Sequence, residues 1–203
     1  IALALNKNTK IHSFMQSVVF APHIISLVSI SMLWLWLMDY DYGLFNYLLG
    51  KIGVGPVSFL TNPDIVMYSL AAVSIWKGVG YYSLIFLSGL QAIPDDIYEA
   101  AALDNTPWHR KLFKITLPML SPTIFFIGIT SIIASFKVFE TISIMTQGGP
   151  MNASNTLVYY IYETGFKFFN MGLSSAAGVI LFVVIAILTF IYFKLMAKKV
   201  YYN

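Results

Sequence analysis

From Leu173 to Met196 the chain runs almost wholly apolar, with Lys194 near its end as the one charged side chain. As an α-helix this stretch is about 36 Å long, enough to cross a hydrocarbon layer of about 30 Å. A soluble protein would need a polar outer face to keep such a helix, and this run has none. Apolar runs beyond roughly 18 residues mark spanning helices, and the pattern recurs along the chain. Hydrophobic residues make up 58% of the sequence and charged residues 10%, against about 25% charged in a soluble domain. No period-2 strand pattern or internal repeat is evident, so the chain reads as an all-α polytopic membrane protein.

Four complete spans are expected: Phe14 to Met38 with a kink at Pro22, Ile65 to Leu90, Met119 to Val138, and Leu173 to Met196. Ile1 to Leu5 reads as the remnant of an earlier helix, with the N-terminal helix or helices missing. Basic residues give an orientation. Lys7 and Lys10 precede the first span, Arg110, Lys111 and Lys114 separate the second from the third, and Lys194, Lys198 and Lys199 follow the fourth. Only Lys51 and Lys167 fall in the opposite loops, and eight against two is a positive-inside bias. It assigns the loop around Arg110 and the C-terminus to the cytoplasm of a multi-pass plasma-membrane protein. Trp34, Trp36, Tyr40 and Tyr42 then read as an aromatic belt at the outer end of the first span. Two loops face outward, Asp39 to Asp64 and about Phe139 to Gly172; the second carries the Gly-Gly-Pro turn at 148–150, and within it Thr156 to Phe169 reads as a short interfacial helix. The clustered basic residues are a topology signal and not a nucleic-acid footprint.

The loop at 94–118 has its own helical chemistry. Pro94 suits a first turn, and Asp95, Asp96 and Glu99 oppose the positive end of a helix dipole. Ile97, Ala100, Ala101 and Leu103 form a small apolar surface open to close approach. Asp104 and Asn105 end the helix, with Asn105 suited to a left-handed backbone. Thr106 and Pro107 restart a helix as N-cap and first residue, and Pro118 closes the segment.

The order Glu99-Ala100-Ala101, Asn105, Ile115-Thr116-Leu117-Pro118 resembles the EAA loop of ABC-importer permeases, with Asn105 standing where that family has Gly. Trp76-Lys77-Gly78, Leu90-Gln91-Ala92-Ile93-Pro94, Thr146-Gln147-Gly148-Gly149-Pro150 and Thr156-Leu157-Val158-Tyr159 extend the likeness from Phe20 onward. They look like carbohydrate-importer permeases of the maltose-type larger subunit and the glycerol-3-phosphate permease A subunit. The resemblance implies a type I importer permease fold, normally of six core helices, in a bacterial or archaeal plasma membrane. It implies a second permease subunit, an ABC ATPase dimer, an extracytoplasmic solute-binding protein and a carbohydrate as partners, within membrane lipid. ATP and Mg would reside on the ATPase, with no cofactor on this chain and no catalysis by it. Glu99, Ala100, Ala101, Leu103, Asp104 and Asn105 are the implied ATPase-coupling residues.

Lys77 is expected about mid-membrane, where a charge is a functional-site hypothesis. Its alternatives are a solute contact, a pair with Glu140, or a snorkelling side chain. Aligned from Glu99, Gly78 and Tyr81 fall on the family's substrate-contact positions before the loop, and Ser131, Ala134 and Ser135 on those after it. Ser131 and Ser135 share a helix face. Glycerol 3-phosphate is the alternative solute, and a secondary transporter the less favoured class. That class would want paired intramembrane acids or inverted repeats. His12, His23 and His109 are scattered without a metal-site or hydrolase spacing, so no metal site is expected, and the chain contains no phosphate-cradling GxxxxGK[ST].

Overall fold

The computed structural model describes residues 1–6 and 9–197, so Lys7, Lys198 and Lys199 of the basic clusters lie outside the described residues. Among the described residues there is no strand. The helices are α1 (Ala2–Leu5), α2 (Lys10–Ile24), α3 (Leu27–Leu37), α4 (Leu44–Lys51), α5 (Val66–Gln91), α6 (Asp95–Leu103), α7 (Trp108–Lys111), α8 (Leu117–Met119), α9 (Ser121–Phe136), α10 (Glu140–Met145), α11 (Leu157–Tyr162) and α12 (Met171–Met196). Two wider π-turns, Leu112–Thr116 and Glu163–Lys167, follow α7 and α11.

Among the described residues, three segments are long and apolar enough to cross a membrane: Val66–Gln91, Ser121–Met145 and Met171–Met196. The expected first span is not one helix. It divides into α2 and α3, and only the two together reach spanning length and hydropathy. Pro22 lies inside α2, and the interruption comes later, at Ile25 and Ser26.

The chain forms two compact units and passes between them at His23/Ile24, Lys77/Gly78, Ile133/Ala134 and Ala186/Ile187. The unit of residues 1–23, 78–133 and 187–203 has a small core of Leu90, Ile93 and Leu120, against which Ile97, Tyr98 and Met119 pack. Two glycines permit close approach here. A Cβ at Gly80 would overlap the Val19 carbonyl of α2, and one at Gly128 would overlap the Tyr192 hydroxyl of α12. Such small residues bring membrane helices into backbone contact.

The unit of residues 24–77 and 134–186 is held by a larger core of Ile30, Met38, Val66, Leu70, Val73, Ile142, Met145 and Tyr159. Both segments expected as outer loops take part in it. Buried Asn46 on α4 donates to the carbonyls of Asp39 (3.2 Å), Tyr40 (3.2 Å) and Val57 (3.0 Å), and accepts from the Val57 amide at 2.8 Å. One amide thereby folds the first loop onto itself. The second loop turns through left-handed residues Gln147 and Gly148, and the Ser154 hydroxyl donates to the Gly149 carbonyl at 2.5 Å.

Of the residues expected as an aromatic belt, Trp34 is half-buried and its ring packs at 5.6 Å from Phe45 and 5.4 Å from Trp76. Trp36, Tyr40 and Tyr42 do remain exposed. Within the segment expected as an interfacial helix, Leu157–Tyr162 is helical, and its Tyr159 is 1% exposed and belongs to the core. Lys167 donates to the Tyr159 hydroxyl at 2.7 Å and pairs with Glu163 at 3.5 Å. That hydrogen bond, with the Glu163 charge adding to it, holds its ammonium above the usual lysine range.

Candidate functional site

The loop from Pro94 to Pro118 begins with α6, whose first turn carries Asp95 and Asp96 at the positive end of the helix dipole. Its two faces differ. Ala101 is buried, and Ile97 and Tyr98 pack beside it on the Leu90–Ile93–Leu120 core. Glu99, Ala100, Leu103, Asp104 and Asn105 are exposed, Leu103 at 84%. The small apolar surface expected from the sequence is therefore split. Ile97 and Ala101, four residues apart, face inward, and Ala100 with Leu103 face outward.

The helix ends in a Schellman turn. The Thr106 amide donates to the Ala101 carbonyl and the Asn105 amide to the Ala102 carbonyl, each at 3.0 Å. The residue between them in such a turn takes a left-handed backbone, and Asn105 has φ 49°. The restart is one residue later than expected: Pro107 is the cap and Trp108 the first helical residue. No helix end falls at Pro118. The backbone continues through the π-turn and α8 into α9 with Pro118 inside α8. Pro118 has no amide to give the Lys114 carbonyl, and the wider turn precedes it. There the Leu117 amide reaches back to the Leu112 carbonyl. Buried Thr116 ties both arms of the loop together: its hydroxyl lies 3.2 Å from the Tyr98 hydroxyl and donates to the Lys111 carbonyl at 3.3 Å.

The expected solute-path residues lie on two long helices. Lys77 and Gly78 are adjacent on α5 and Tyr81 lies about one turn further on, and all three are half-buried. Lys77 donates to the Ile25 carbonyl at 2.7 Å. A Cβ at Gly78 would meet only the Tyr82 ring at 3.3 Å, so the close packing belongs to Gly80. Tyr81 stacks on His23 of α2, with centroids 4.5 Å apart and planes 13° apart. Phe20 and Tyr82 extend the row, at 5.5 Å from His23 and 5.4 Å from Tyr81. His23 was passed over in the sequence because an isolated histidine far from Tyr81 carries no spacing signal. On α9, Ser131 donates to the Gly128 carbonyl at 3.1 Å, and Ala134 and Ser135 are exposed.

A family model described as "Binding-protein-dependent transport system inner membrane component" matches residues 1–202. The trehalose/maltose transport system permease protein MalF of Thermococcus litoralis is 33% identical over 196 residues, covering 95% of this chain and 65% of that protein. The sn-glycerol-3-phosphate transport system permease protein UgpA of Brucella abortus is 34% identical over 204 residues, covering 100% of this chain and 69% of that protein. The chain thus spans about two thirds of the length of these relatives. A chain of a bacterial alginate ABC transporter, solved in complex with alginate pentasaccharide-bound periplasmic protein, superposes with a TM-score of 0.85. It is 27% identical and is matched over 94% of this chain and 67% of its own.

Proposed function

Because this chain belongs to the family of binding-protein-dependent transport system inner membrane components, we propose that it is a permease subunit of an ATP-driven importer. It forms half of a translocation path for a sugar or oligosaccharide. The divided first segment counts as a fourth span, and the loop 94–118 faces the cytoplasm. There α6 seats in a partner ATPase and carries its closure into α5 and α9. A second permease subunit completes the path, an extracytoplasmic binding protein delivers the solute, and ATP is hydrolysed by the partner.

The observation that carries the coupling role is the division of α6 into two faces. The inward face is locked to the core by Ala101, Ile97 and Tyr98. The outward face presents Glu99, Ala100, Leu103 and Asp104, capped by the rigid turn at Asn105. A lever needs both, one side fastened to the moving helices and the other free to be gripped. Gly78, Tyr81, Ser131, Ala134 and Ser135 are proposed to line the path, with Lys77 beside them. Tyr81 offers an aromatic face to sugar C–H groups, and the serines offer hydroxyl partners. The names of the maltose and alginate relatives favour a carbohydrate, and that of UgpA keeps glycerol 3-phosphate as the second reading.

Glu99→Lys tests the assignment in the reconstituted complex. The expected result is ATP hydrolysis that persists while solute uptake is lost. Uptake at the unmodified rate would sink the coupling role of α6.

A further inference from the structure

An interrupted helix in a membrane frees backbone groups that lipid cannot satisfy. The first apolar segment is interrupted at Ile25 and Ser26, between α2 and α3. The carbonyl end of a half-helix carries partial negative charge and is a natural place for a cation. Here the cation is covalently attached. Lys77 lies 52 residues beyond Ile25 in the chain, and its ammonium donates to the Ile25 carbonyl at 2.7 Å. We propose that Lys77 is a tethered counter-cation, a positioning residue that holds the break in the first segment in shape.

The placement of Lys77 gives this contact a mechanical meaning, which rests on the importer reading above. α5 is one continuous helix of 26 residues. A displacement of this part of α5 would carry the ammonium with it and load the Ile25 carbonyl at the break. Lysine suits this role because its charge is a compact ammonium on a flexible stem. A soluble cation at the same carbonyl would have to be collected afresh.

The test uses the complete complex with its ATPase and binding protein in proteoliposomes. K77M keeps the stem and removes the donor, K77R keeps charge and donor, and K77A leaves room for a small amine. Loss of a charged hydrogen bond predicts that K77M and K77A lower the maximal transport rate about tenfold or more, with the solute KM unchanged. K77R retains most of the rate. Propylammonium restores K77A, and tetramethylammonium, which has no N–H, does not. Transport by K77M at the unmodified rate overturns the proposal. So does a K77R variant as inactive as K77M with a raised solute KM, which is the signature of a solute ligand. So does a K77A variant that propylammonium leaves unrestored. If K77M and K77A do not assemble, solid-state NMR on the unmodified complex decides. Dipolar coupling between 15Nζ of Lys77 and 13C′ of Ile25 at hydrogen-bond separation supports the tether, and a longer separation overturns it. A chain that recruits no ATPase would remove the importer reading, while the NMR contact would still decide the role of Lys77 at the break.

Discussion

Asn105 shows how much a single position can disclose. Its place after Asp104, where the resembling loops have Gly, already called for a left-handed residue. The structure gives it φ 49° between the two hydrogen bonds of the Schellman turn. Asn tolerates that backbone better than other side chains because it is short and bonds locally. Asn105→Gly is expected to leave transport unchanged and to keep or raise stability, by at most about 1 kcal/mol. Asn105→Val is expected to lower it, since a β-branched residue at positive φ is strained. Thermal unfolding of the purified complex measures both, and a Gly variant less stable than the Val variant would contradict the turn. Other residues were not legible in this way. Nothing in Trp-Lys-Gly-Val-Gly says that Gly80 and not Gly78 meets the Val19 carbonyl. The direction of Ala101 is equally hidden, because both neighbouring alanines suit either face of a helix until the core beneath is known.

At the scale of elements, hydropathy located the long segments well because length and lack of charge are local properties. Val66–Gln91 and Met171–Met196 match the expected spans to within a few residues. Interruptions were harder. Pro22 suggested a kink and Pro118 the close of the loop segment, and both lie inside helices, the first ahead of the gap and the second behind a π-turn. A proline removes one donor, but neighbouring turns can widen to absorb the loss. α4 was missed altogether, since its glycine-rich surroundings read as loop. It is held by tertiary contacts, among them the hydrogen bonds of Asn46 and the packing of Phe45 on the core. Asn46→Leu keeps a similar volume and removes the buried side chain that bonds the Asp39, Tyr40 and Val57 carbonyls and the Val57 amide. The expected cost is about 2 kcal/mol, read as a fall of several degrees in the unfolding temperature of the complex. Full retention of that temperature would mean that α4 is held by its apolar contacts alone.

At the scale of the whole molecule, the sequence supplied a side for the loop through its lysines and arginines. That assignment is open to direct measurement, because the chain contains no cysteine. Leu103 on α6 and Tyr42 after α3 are almost equally exposed, at 84% and 85%. A cysteine placed at either one therefore reacts with a maleimide according to its side of the membrane and not its burial. In intact spheroplasts an impermeant maleimide is expected to label Tyr42→Cys and to spare Leu103→Cys. In inside-out vesicles stripped of peripheral ATPase the pattern reverses. Restoring the ATPase should then protect Leu103→Cys selectively, since α6 is where it seats. Labelling of both positions from the same side would refute the orientation. Reversal without protection would keep the orientation and remove the coupling role, because an exposed α6 that the ATPase never covers cannot transmit its closure to α5.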